Sequence, residues 1–313
     1  MLSRTIAIAG GTGNIGRVIF EELVAHGGYK VFILGRKATD EMSKGFGAPI
    51  LAVDYSSQSS LVSILESNGI DTVISTLSSK TGADPELALI EAATASSVTK
   101  RYIPSVWGVR YTVEVAKYYP LAHAKMAALV ALSSSTLEYT VVLNGFFLDY
   151  FGIPHIKTYL PSFPFVLDIA NNTASIPASG DVPIAFTYSF DVGRFVSKLL
   201  SESKWDKESI IIGDQLTWNQ FLALAEEVKA TKFTVSHDPM EMLRKGQITE
   251  LPGQKELYKF VSKESLQGIA AVFAILMEEG YVTLDKEESL NERYTDVKVK
   301  TVKEFLEEAW KGR

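Results

Sequence analysis

The sequence predicts an α/β fold in which a doubly wound parallel sheet is joined to a smaller C-terminal α/β lobe. Two observations carry this prediction. Short apolar runs alternate with helix-compatible segments as far as Ser105, a pattern typical of parallel strands joined by right-handed crossovers. Three glycines spaced three apart, Gly10, Gly13 and Gly16, follow the first apolar run directly. A strand, a tight turn and a helix are therefore predicted near the N-terminus.

The glycine turn has the form expected of a phosphate-binding loop. Gly10 can turn the chain out of the strand, Gly13 lets a pyrophosphate approach the backbone, and Gly16 lets the helix pack close to the sheet. The free N–H groups and the dipole of the helix favour a bound phosphate. We therefore predict a Rossmann dinucleotide site with the loop Gly10, Gly11, Thr12, Gly13, Asn14, Ile15 and Gly16. A glycine-rich turn without a ligand is the alternative.

Basic residues follow the second predicted strand, Lys30 to Leu34. Gly35, Arg36 and Lys37 stand about 20 residues beyond the glycine turn, where such folds meet the adenosine ribose. A site selective for NAD usually has a carboxylate here, whereas arginine and lysine suit a 2′-phosphate. The sequence therefore predicts NADP(H) as the cofactor, with a solvated basic turn as the alternative.

The ends of later strands supply further candidates, because the carboxyl ends of parallel strands share one edge of a sheet. Asp54 follows the third strand and could lie near the adenine or cap a helix. The fourth strand, 71–76, should end beside the nicotinamide. The candidates there are Thr76, Leu77 and Ser78.

A sixth run, 139–143, is predicted as one strand that ends at Asn144. Its amide is expected near the nicotinamide, together with Phe146. A turn role before Gly145 for Asn144, and simple core burial for Phe146, are the alternatives.

The remaining pattern divides the chain into a Rossmann domain, 1–150, and a substrate-binding lobe, 151–313, that is partly interleaved with the sheet. Apolar residues make up 46% of the chain, enough for a full core. Helix-capping residues are predicted at Asp84, Asp191, Thr217 and Thr301. The predicted helices span 17–25, 57–67, 84–97, 121–134, 191–200, 217–228 and 262–279, with a last one from 301.

A group able to move a proton is sought on the helix from Leu121. Short-chain reductases commonly place a tyrosine four residues before a lysine on one helix face. This chain has Lys125, but position 121 is leucine. Tyr118 and Tyr119 precede Pro120 and are expected to lie outside the helix. The usual tyrosine acid is therefore absent from its expected place.

The chain resembles the NmrA-like/isoflavone-reductase-like branch of the atypical short-chain reductases over nearly its whole length. The marks are the glycine turn, Gly35–Lys37, Lys100–Ser105, Lys125, Asn144–Phe147 and Asp296–Val299. The resemblance implies NADPH and a lone lysine that helps to bind the nicotinamide ribose and transfers a proton directly or through water. That lysine would be Lys125, whose pKa should fall in an apolar cleft. A surface cation is the alternative.

One departure concerns the loop after the fifth strand. The plant reductases have Pro-Ser-Glu-Phe-Gly there, and this chain has Pro104-Ser105-Val106-Trp107-Gly108. Plant substrates should therefore not be carried over. The predicted substrate pocket comprises Trp107, Phe147, Tyr150, Phe151, Ile153, His155 and Phe163. Core burial of the phenylalanines and a hydrogen-bonded loop role for His155 are the alternatives.

The predicted function is an NADPH-dependent reductase that transfers hydride to a C=O or C=C group of an apolar or aromatic small molecule. A regulator that binds NAD(P) and a protein partner without turnover is the alternative, and a non-redox scaffold is a third. The net charge of −6 disfavours nucleic acid as a direct partner. The absence of cysteine removes thiolate sites, and the four histidines lack metal-ligand spacing, so no metal is expected.

The expected setting is the cytoplasm, or the nucleus for a regulator, because no signal peptide is recognised. The longest apolar helix candidate, 269–277, is too short to span a bilayer, which needs about 20 residues. The expected state is a monomer or a homodimer.

Overall fold

The first half of the chain forms the predicted parallel sheet. The computed structural model describes residues 2–313. Its central sheet has six parallel strands in the order β3-β2-β1-β4-β5-β6, so the strand order reverses between β1 and β4. The strands are β1 (Thr5–Ala9), β2 (Lys30–Gly35), β3 (Ile50–Ala52), β4 (Thr72–Ser75), β5 (Arg101–Ile103) and β6 (Glu138–Tyr139). The predicted doubly wound Rossmann architecture is confirmed.

Six helices connect and cover these strands. They are α1 (Asn14–His26), α2 (Asp40–Phe46), α3 (Gln58–Ser67), α4 (Asp84–Ala95), α5 (Val113–Tyr118) and α6 (Ala122–Ser133). Helix α4 packs between α3 and α6, while α1 packs against a helix from the second half. The sequence interpretation missed α2 and α5. Both carry a threonine N-cap, Thr39 and Thr112, whose side chain accepts a backbone hydrogen bond.

From Val141 onward the described chain builds three small sheets and six helices. The strands are β7 (Val141–Leu143), β8 (Phe146–Phe147), β9 (Leu167–Asp168), β10 (Thr173–Pro177), β11 (Ile184–Thr187), β12 (Glu208–Ile210), β13 (Asp214–Leu216) and β14 (Thr234–Asp238). The helices are α7 (Ser189–Leu199), α8 (Trp218–Lys229), α9 (Met240–Arg244), α10 (Lys263–Glu278), α11 (Leu290–Arg293) and α12 (Val302–Trp310). Short 3-10 helices occupy Ser79–Thr81, Leu148–Phe151 and Pro252–Lys259.

The prediction of one strand over 139–143 is wrong. The run breaks at Thr140, after which β7 leaves the six-stranded sheet and pairs in parallel with β12. Thr140 is fully buried and its hydroxyl lies 2.8 Å from the hydroxyl of Ser209. Strand β8 likewise pairs in parallel with β11. Strands β7 and β8 therefore connect the six-stranded sheet to small sheets that are completed by later parts of the chain.

Two acidic residues predicted as helix caps lie instead inside the first helical turn. Helix α4 starts at Asp84 with Ala83 as its N-cap, and α7 starts at Ser189 with Tyr188 as its N-cap. In that position a carboxylate interacts with the positive end of the helix dipole rather than capping one N–H group. The predicted capping boxes at Thr217 and Thr301 are both present.

The core of the second half is aromatic. Phe151, Trp218 and Phe221 are almost fully buried, and the Phe151 and Phe221 rings lie 4.8 Å apart. Aromatic pairs of this kind stabilise a core beyond their area burial. Within residues 2–313 no helix combines the length and the apolarity that crossing a bilayer requires.

Candidate active site

The glycine turn after β1 is fixed by close packing at two of its glycines. Gly10 has φ +76°, a conformation that favours glycine. A Cβ on Gly16 would lie 2.5 Å from Gly10 O and 2.5 Å from Thr76 Oγ1. Thr76 itself donates from Oγ1 to Ala9 O at 2.7 Å, so it ties the ends of β1 and β4 together. The N-terminus of α1 therefore packs directly against the ends of β1 and β4, the two strands between which the strand order reverses.

The third glycine of the turn faces open space. Gly13 is the N-cap of α1, where no side chain caps the first-turn N–H groups, and a Cβ placed on it would meet nothing within 4 Å. Thr12, Gly13 and Asn14 are exposed, whereas Gly11 and Ile15 are buried. An uncapped helix start with no Cβ in front of it fits a pyrophosphate.

The residues after β2 and β3 differ in whether their charge is already used. Arg36 and Lys37 are exposed, and neither forms a hydrogen bond or an ion pair with another described residue. Asp54 is also exposed, but its carboxylate accepts from Ser56 N at 2.9 Å and from Ser56 Oγ at 2.6 Å. Those hydrogen bonds lower the pKa of Asp54. The unpaired side chains of Arg36 and Lys37 fit an added 2′-phosphate, whereas the Asp54 carboxylate is already hydrogen-bonded within its own turn.

The loop after β4 approaches the loop after β5. Leu77 O accepts from Ser105 Oγ at 2.8 Å. Ser78 is exposed and its hydroxyl accepts from Lys80 N at 3.3 Å, which caps the short helix Ser79–Thr81. The contact of Leu77 with Ser105 brings the loop after β4 next to the loop that contacts Lys125.

Lys125 projects from α6 onto Ser105. Its Nζ donates to Ser105 O and lies 3.3 Å from Ser105 Oγ. Burial lowers the pKa of Lys125, and the charge of Glu86 opposes that effect. Leu77, Ser78, Glu86 and Lys125 line one small recess. The lysine is thus a half-buried cation at the edge of the sheet where the glycine turn also lies.

Glu86 is a site residue that the sequence interpretation missed. It lies in the first turn of α4 and is 8% exposed. Its carboxylate accepts from Ser75 Oγ, from Ser105 N at 3.1 Å and from Tyr102 OH at 3.3 Å. The sequence showed only an acidic residue near a helix start, which is a common surface feature.

Asn144 lies at the end of β7 with one polar atom unpaired. The residue is fully buried, its Nδ2 donates to Gly145 O at 3.4 Å, and its Oδ1 has no hydrogen-bond partner in the described structure. A buried acceptor without a donor is unfavourable by about 1–3 kcal/mol. The next residue, Gly145, has φ +64°, and a Cβ there would lie 2.2 Å from Ala185 O. Asn144 is therefore held rigidly with an acceptor that a ligand could satisfy.

A continuous row of half-buried aromatic side chains, here called the aromatic belt, extends from the loop after β5 into the second half. Its members are Trp107, Tyr111, Tyr119, Phe147, Tyr150, Phe163 and Phe273. Neighbouring ring centroids lie 5.7–6.4 Å apart along the row from Tyr111 to Phe147. The sequence interpretation missed Tyr111 and Phe273, and it noted Tyr119 only as lying outside α6.

The belt begins beside Ser105. The Trp107 indole donates from Nε1 to Ser75 O at 3.1 Å, and Tyr111 OH donates to Trp107 O at 3.3 Å. The hydroxyls of Tyr119 and Tyr150 make no hydrogen bond to another described residue. Burial raises the pKa of both, so each is a neutral donor near pH 7.

Three predicted site residues, Phe146, Phe151 and His155, lie away from the belt surface. Phe146 is 8% exposed and packs behind the belt, with ring centroids 5.2 Å from Tyr150. Phe151 is 2% exposed within the aromatic core of the second half. Ile153 is half-buried, and His155 is exposed with its ring edge-on to Trp310 at 4.9 Å. Phe151 and His155 therefore pack around α12. Among the described residues, no group of three or more His, Cys, Asp or Glu could hold a metal ion.

Comparison with known proteins decides the family. The model of the NmrA-like family matches residues 3–306. The chain belongs to the NmrA-like family. The resemblance inferred from the sequence motifs is thereby confirmed. Oxidoreductase BOA1 of Botryotinia fuckeliana (strain B05.10) is 34% identical to this NmrA-like protein over 244 residues, which cover 75% of the chain and 81% of the relative. The predicted oxidoreductase class is consistent with that relative's name.

Two solved structures share the fold of this NmrA-like protein. The binary complex of leucoanthocyanidin reductase with NADPH from Vitis vinifera is 18% identical with a TM-score of 0.74, and covers 97% of this chain and 98% of its own. AtPrR2 with NADP⁺ and (+)-pinoresinol is 20% identical with a TM-score of 0.75, and covers 98% of each chain. Both confirm the architecture described above.

Proposed function

We propose that this NmrA-like protein is an NADPH-dependent reductase that transfers a hydride to a C=O or C=C group of an apolar, aromatic small molecule. The observation that carries the proposal is the position of Lys125. Its Nζ contacts Ser105, two residues before the indole that starts the aromatic belt. A half-buried cation thus lies next to an apolar surface and on the sheet edge that carries the phosphate-binding turn.

The chain's own residues fit NADP(H) at three points. The uncapped start of α1 at Gly13 takes the pyrophosphate, and the unpaired Arg36 and Lys37 take the 2′-phosphate. The unpaired Oδ1 of Asn144 accepts from the nicotinamide amide. The two reductase structures of similar fold hold NADPH and NADP⁺, which supports the same cofactor here.

When bound, NADPH supplies the hydride to the acceptor carbon. The protein's part is to supply the matching proton and to hold the acceptor still. Lys125 Nζ carries that proton, and burial lowers its pKa toward the range useful for general acid catalysis. The proton goes to the carbonyl oxygen of a C=O group, or to the carbon adjacent to the new C–H bond in a C=C group. Lys125 then regains a proton from solvent.

The aromatic belt sets the class of substrate. Its rings offer stacking and edge contacts, and the hydroxyls of Tyr119 and Tyr150 add two neutral hydrogen-bond donors. A flat aromatic molecule with oxygen substituents matches that lining. AtPrR2 binds the aromatic (+)-pinoresinol, which supports the same class. The loop with Trp107 in place of the plant reductases' phenylalanine implies a different member of the class.

The test is NADPH oxidation across a panel of aromatic ketones, enones and quinones, with NADH in parallel. We expect turnover with at least one aromatic acceptor and a preference for NADPH. Product analysis should show one added hydride and one added proton. If NADPH binds tightly, no acceptor is reduced and a transcription factor forms a stable complex with the protein, the protein is a redox-sensing regulator and the proposal fails.

A further inference from the structure

Glu86 is a buried carboxylate that takes no part in the proposed hydride and proton transfer. It is 8% exposed and is enclosed by α4 and the ends of β4 and β5. Burying a carboxylate is unfavourable unless donors surround it. Its three hydrogen-bond partners among the described residues lie on those strands or in the loop after β5: Ser75, Tyr102 and Ser105.

Ser105 joins Glu86 to Lys125. The backbone N–H of Ser105 donates to Glu86 Oε1 at 3.1 Å, while its carbonyl accepts from Lys125 Nζ. The Ser105 hydroxyl, 3.3 Å from the same Nζ, donates onward to Leu77 O. The Glu86 carboxylate therefore binds the backbone N–H of Ser105, and the Lys125 ammonium binds the carbonyl of the same residue. Both side chains line the same recess.

A purely structural role would need hydrogen-bond acceptors but no charge. The dipole of α4 already has the exposed Asp84 in its first turn, so Glu86 is not required for that purpose. A glutamine would also accept from Ser105 N. What a glutamate adds at this position is a negative charge close to Lys125.

We propose that Glu86 is a positioning residue for Lys125, which holds the lysine's anchor Ser105 in place and supplies the counter-charge of the Lys125 ammonium. The inference rests on the proposed function only in taking Lys125 as the proton donor. Its physical content is a charge coupling between two named side chains, which can be measured without turnover.

The titratable groups around this pair come from every element packed against it. They are Glu86 on α4, Lys125 on α6, Tyr102 on β5 and Tyr55 after β3. Burial raises the pKa of both tyrosines, so they stay neutral through the range in question. Burial lowers the pKa of Lys125 and the Glu86 charge raises it. Removing that charge should therefore lower the pKa of Lys125 further.

The experiment compares wild type, Glu86→Gln and the matched control Glu91→Gln, which alters an exposed glutamate on the same helix. The pH titration of Lys125 is followed by NMR of ¹³C-labelled lysine, with Lys125→Arg used to assign the signal. We expect the Lys125 midpoint in Glu86→Gln to fall by about one pH unit. The Glu91→Gln midpoint should equal that of wild type.

A second measurement covers the case in which Glu86→Gln does not fold. Burial raises the pKa of Glu86, and the Lys125 charge opposes that effect. In Lys125→Met, the Glu86 carboxyl group should therefore titrate at higher pH than in wild type. An unchanged Lys125 midpoint in folded Glu86→Gln, or an unchanged Glu86 midpoint in Lys125→Met, overturns the inference.

Activity separates this inference from the proposed function. If a substrate is reduced, the alkaline limb of kcat/KM should move with the Lys125 midpoint in Glu86→Gln, because the ammonium form is lost as pH rises through its pKa. A midpoint shift without any reducible substrate would uphold the coupling and sink the reductase. If Glu86→Gln turns over a substrate and shows the same alkaline limb and the same Lys125 midpoint as wild type, the reductase proposal stands and the coupling between Glu86 and Lys125 is refuted.

Discussion

The two edges of the six-stranded sheet differ in how far their polar groups are paired within the protein. At the amino-terminal edge, Arg101 starts β5 and is 1% exposed. Its guanidinium donates to Glu138 Oε2 at 2.7 Å, to Glu202 O at 2.9 Å and to Ser203 O at 2.9 Å, and it stacks over the Trp205 ring. The guanidinium is therefore surrounded by protein atoms that accept its hydrogen bonds or stack against it.

Asp71 repeats this arrangement next to Arg101. Its carboxylate accepts from Arg4 N at 2.9 Å and Thr5 N at 2.8 Å, where β1 begins, and from Thr72 Oγ1 at 2.6 Å. The carboxyl edge contrasts with this. There α1 starts without a side-chain cap and Arg36 forms no ion pair with a described residue. Beyond this sheet, at the end of β7, Asn144 Oδ1 has no partner among the described residues.

The difference teaches where stability and binding are located in one sheet. The amino-terminal edge stabilises the fold, because its buried charges are hydrogen-bonded within the protein. An unsaturated edge keeps donors and acceptors available for a ligand. Substitutions at the two edges should therefore fail in different ways.

The largest effect is expected for Lys125→Met at the carboxyl edge. Losing the proton-transfer group should lower kcat for NADPH-dependent reduction by about 10²–10⁴-fold. The free energy of unfolding should fall only modestly, by about 1 kcal/mol, because the hydrogen bond to Ser105 O and the charge opposite Glu86 are lost while a partly desolvated cation is removed. Steady-state kinetics and urea denaturation measure the two quantities. Lys117→Met, an exposed lysine on α5, is the matched control, and undiminished turnover in Lys125→Met would remove the assigned role.

The opposite failure is expected for Arg101→Leu at the amino edge. It leaves Glu138 and two backbone carbonyls without their donor, which should lower the free energy of unfolding by about 3 kcal/mol. The kcat of the folded fraction should be unchanged. Arg101→Lys keeps the charge but not the fork of donors and should lose less. A large fall in kcat with little loss of stability would break the contrast between the edges.

The glycine turn contains one glycine whose substitution should lower stability and another whose substitution should lower affinity for NADPH. Gly16→Ala places a Cβ 2.5 Å from Gly10 O, and this overpacking should destabilise the fold by about 1–3 kcal/mol. Gly13→Ala meets no protein atom within 4 Å, so its stability should stay close to wild type. Its affinity for NADPH should nevertheless fall by about tenfold, or roughly 1.4 kcal/mol. Thermal unfolding and fluorescence titration of NADPH test both. Equal NADPH binding by Gly13→Ala and wild type would argue against a pyrophosphate there.

The smallest effect on stability is expected when Arg36 and Lys37 are both changed to alanine. Removing two exposed, unpaired cations should leave stability within about 0.5 kcal/mol of wild type. Affinity for NADPH should fall by about tenfold or more while affinity for NADH stays the same. Competition between the two cofactors at low and high salt measures this. A parallel loss of both would place these cations away from the 2′-phosphate.

The alternation of strands and helices in the first half could be predicted, because each element there is a separate apolar or amphipathic segment. The break at Thr140 could not. The run from Glu138 to Leu143 is continuous in sequence, and only pairing with the distant β12 divides it. Hydrophobic pattern indicates that a strand exists, whereas its partner depends on tertiary contacts.

The candidate site shows the same limit. Lys125, Asn144 and Trp107 could be picked out because each stands at a strand end or in a recognisable motif. Glu86 could not, because an acidic residue in a first helical turn is usually solvated, and its burial depends on how close α4 lies to β5. Phe273 lies on a predicted helix whose cleft-facing side no local pattern identifies.

The crossing of β7 from one sheet to the next has a consequence for how the protein is made. Synthesis proceeds from the N-terminus, so Asn144 leaves the ribosome well before its neighbours in β11 and β12 exist. The glycine turn can be complete while the far wall of the cleft is still missing. Pairing β7 with β12 closes a long loop, a step that is slow because distant segments must meet. The nascent chain therefore completes the proposed cofactor-binding turn before the proposed substrate-binding surface.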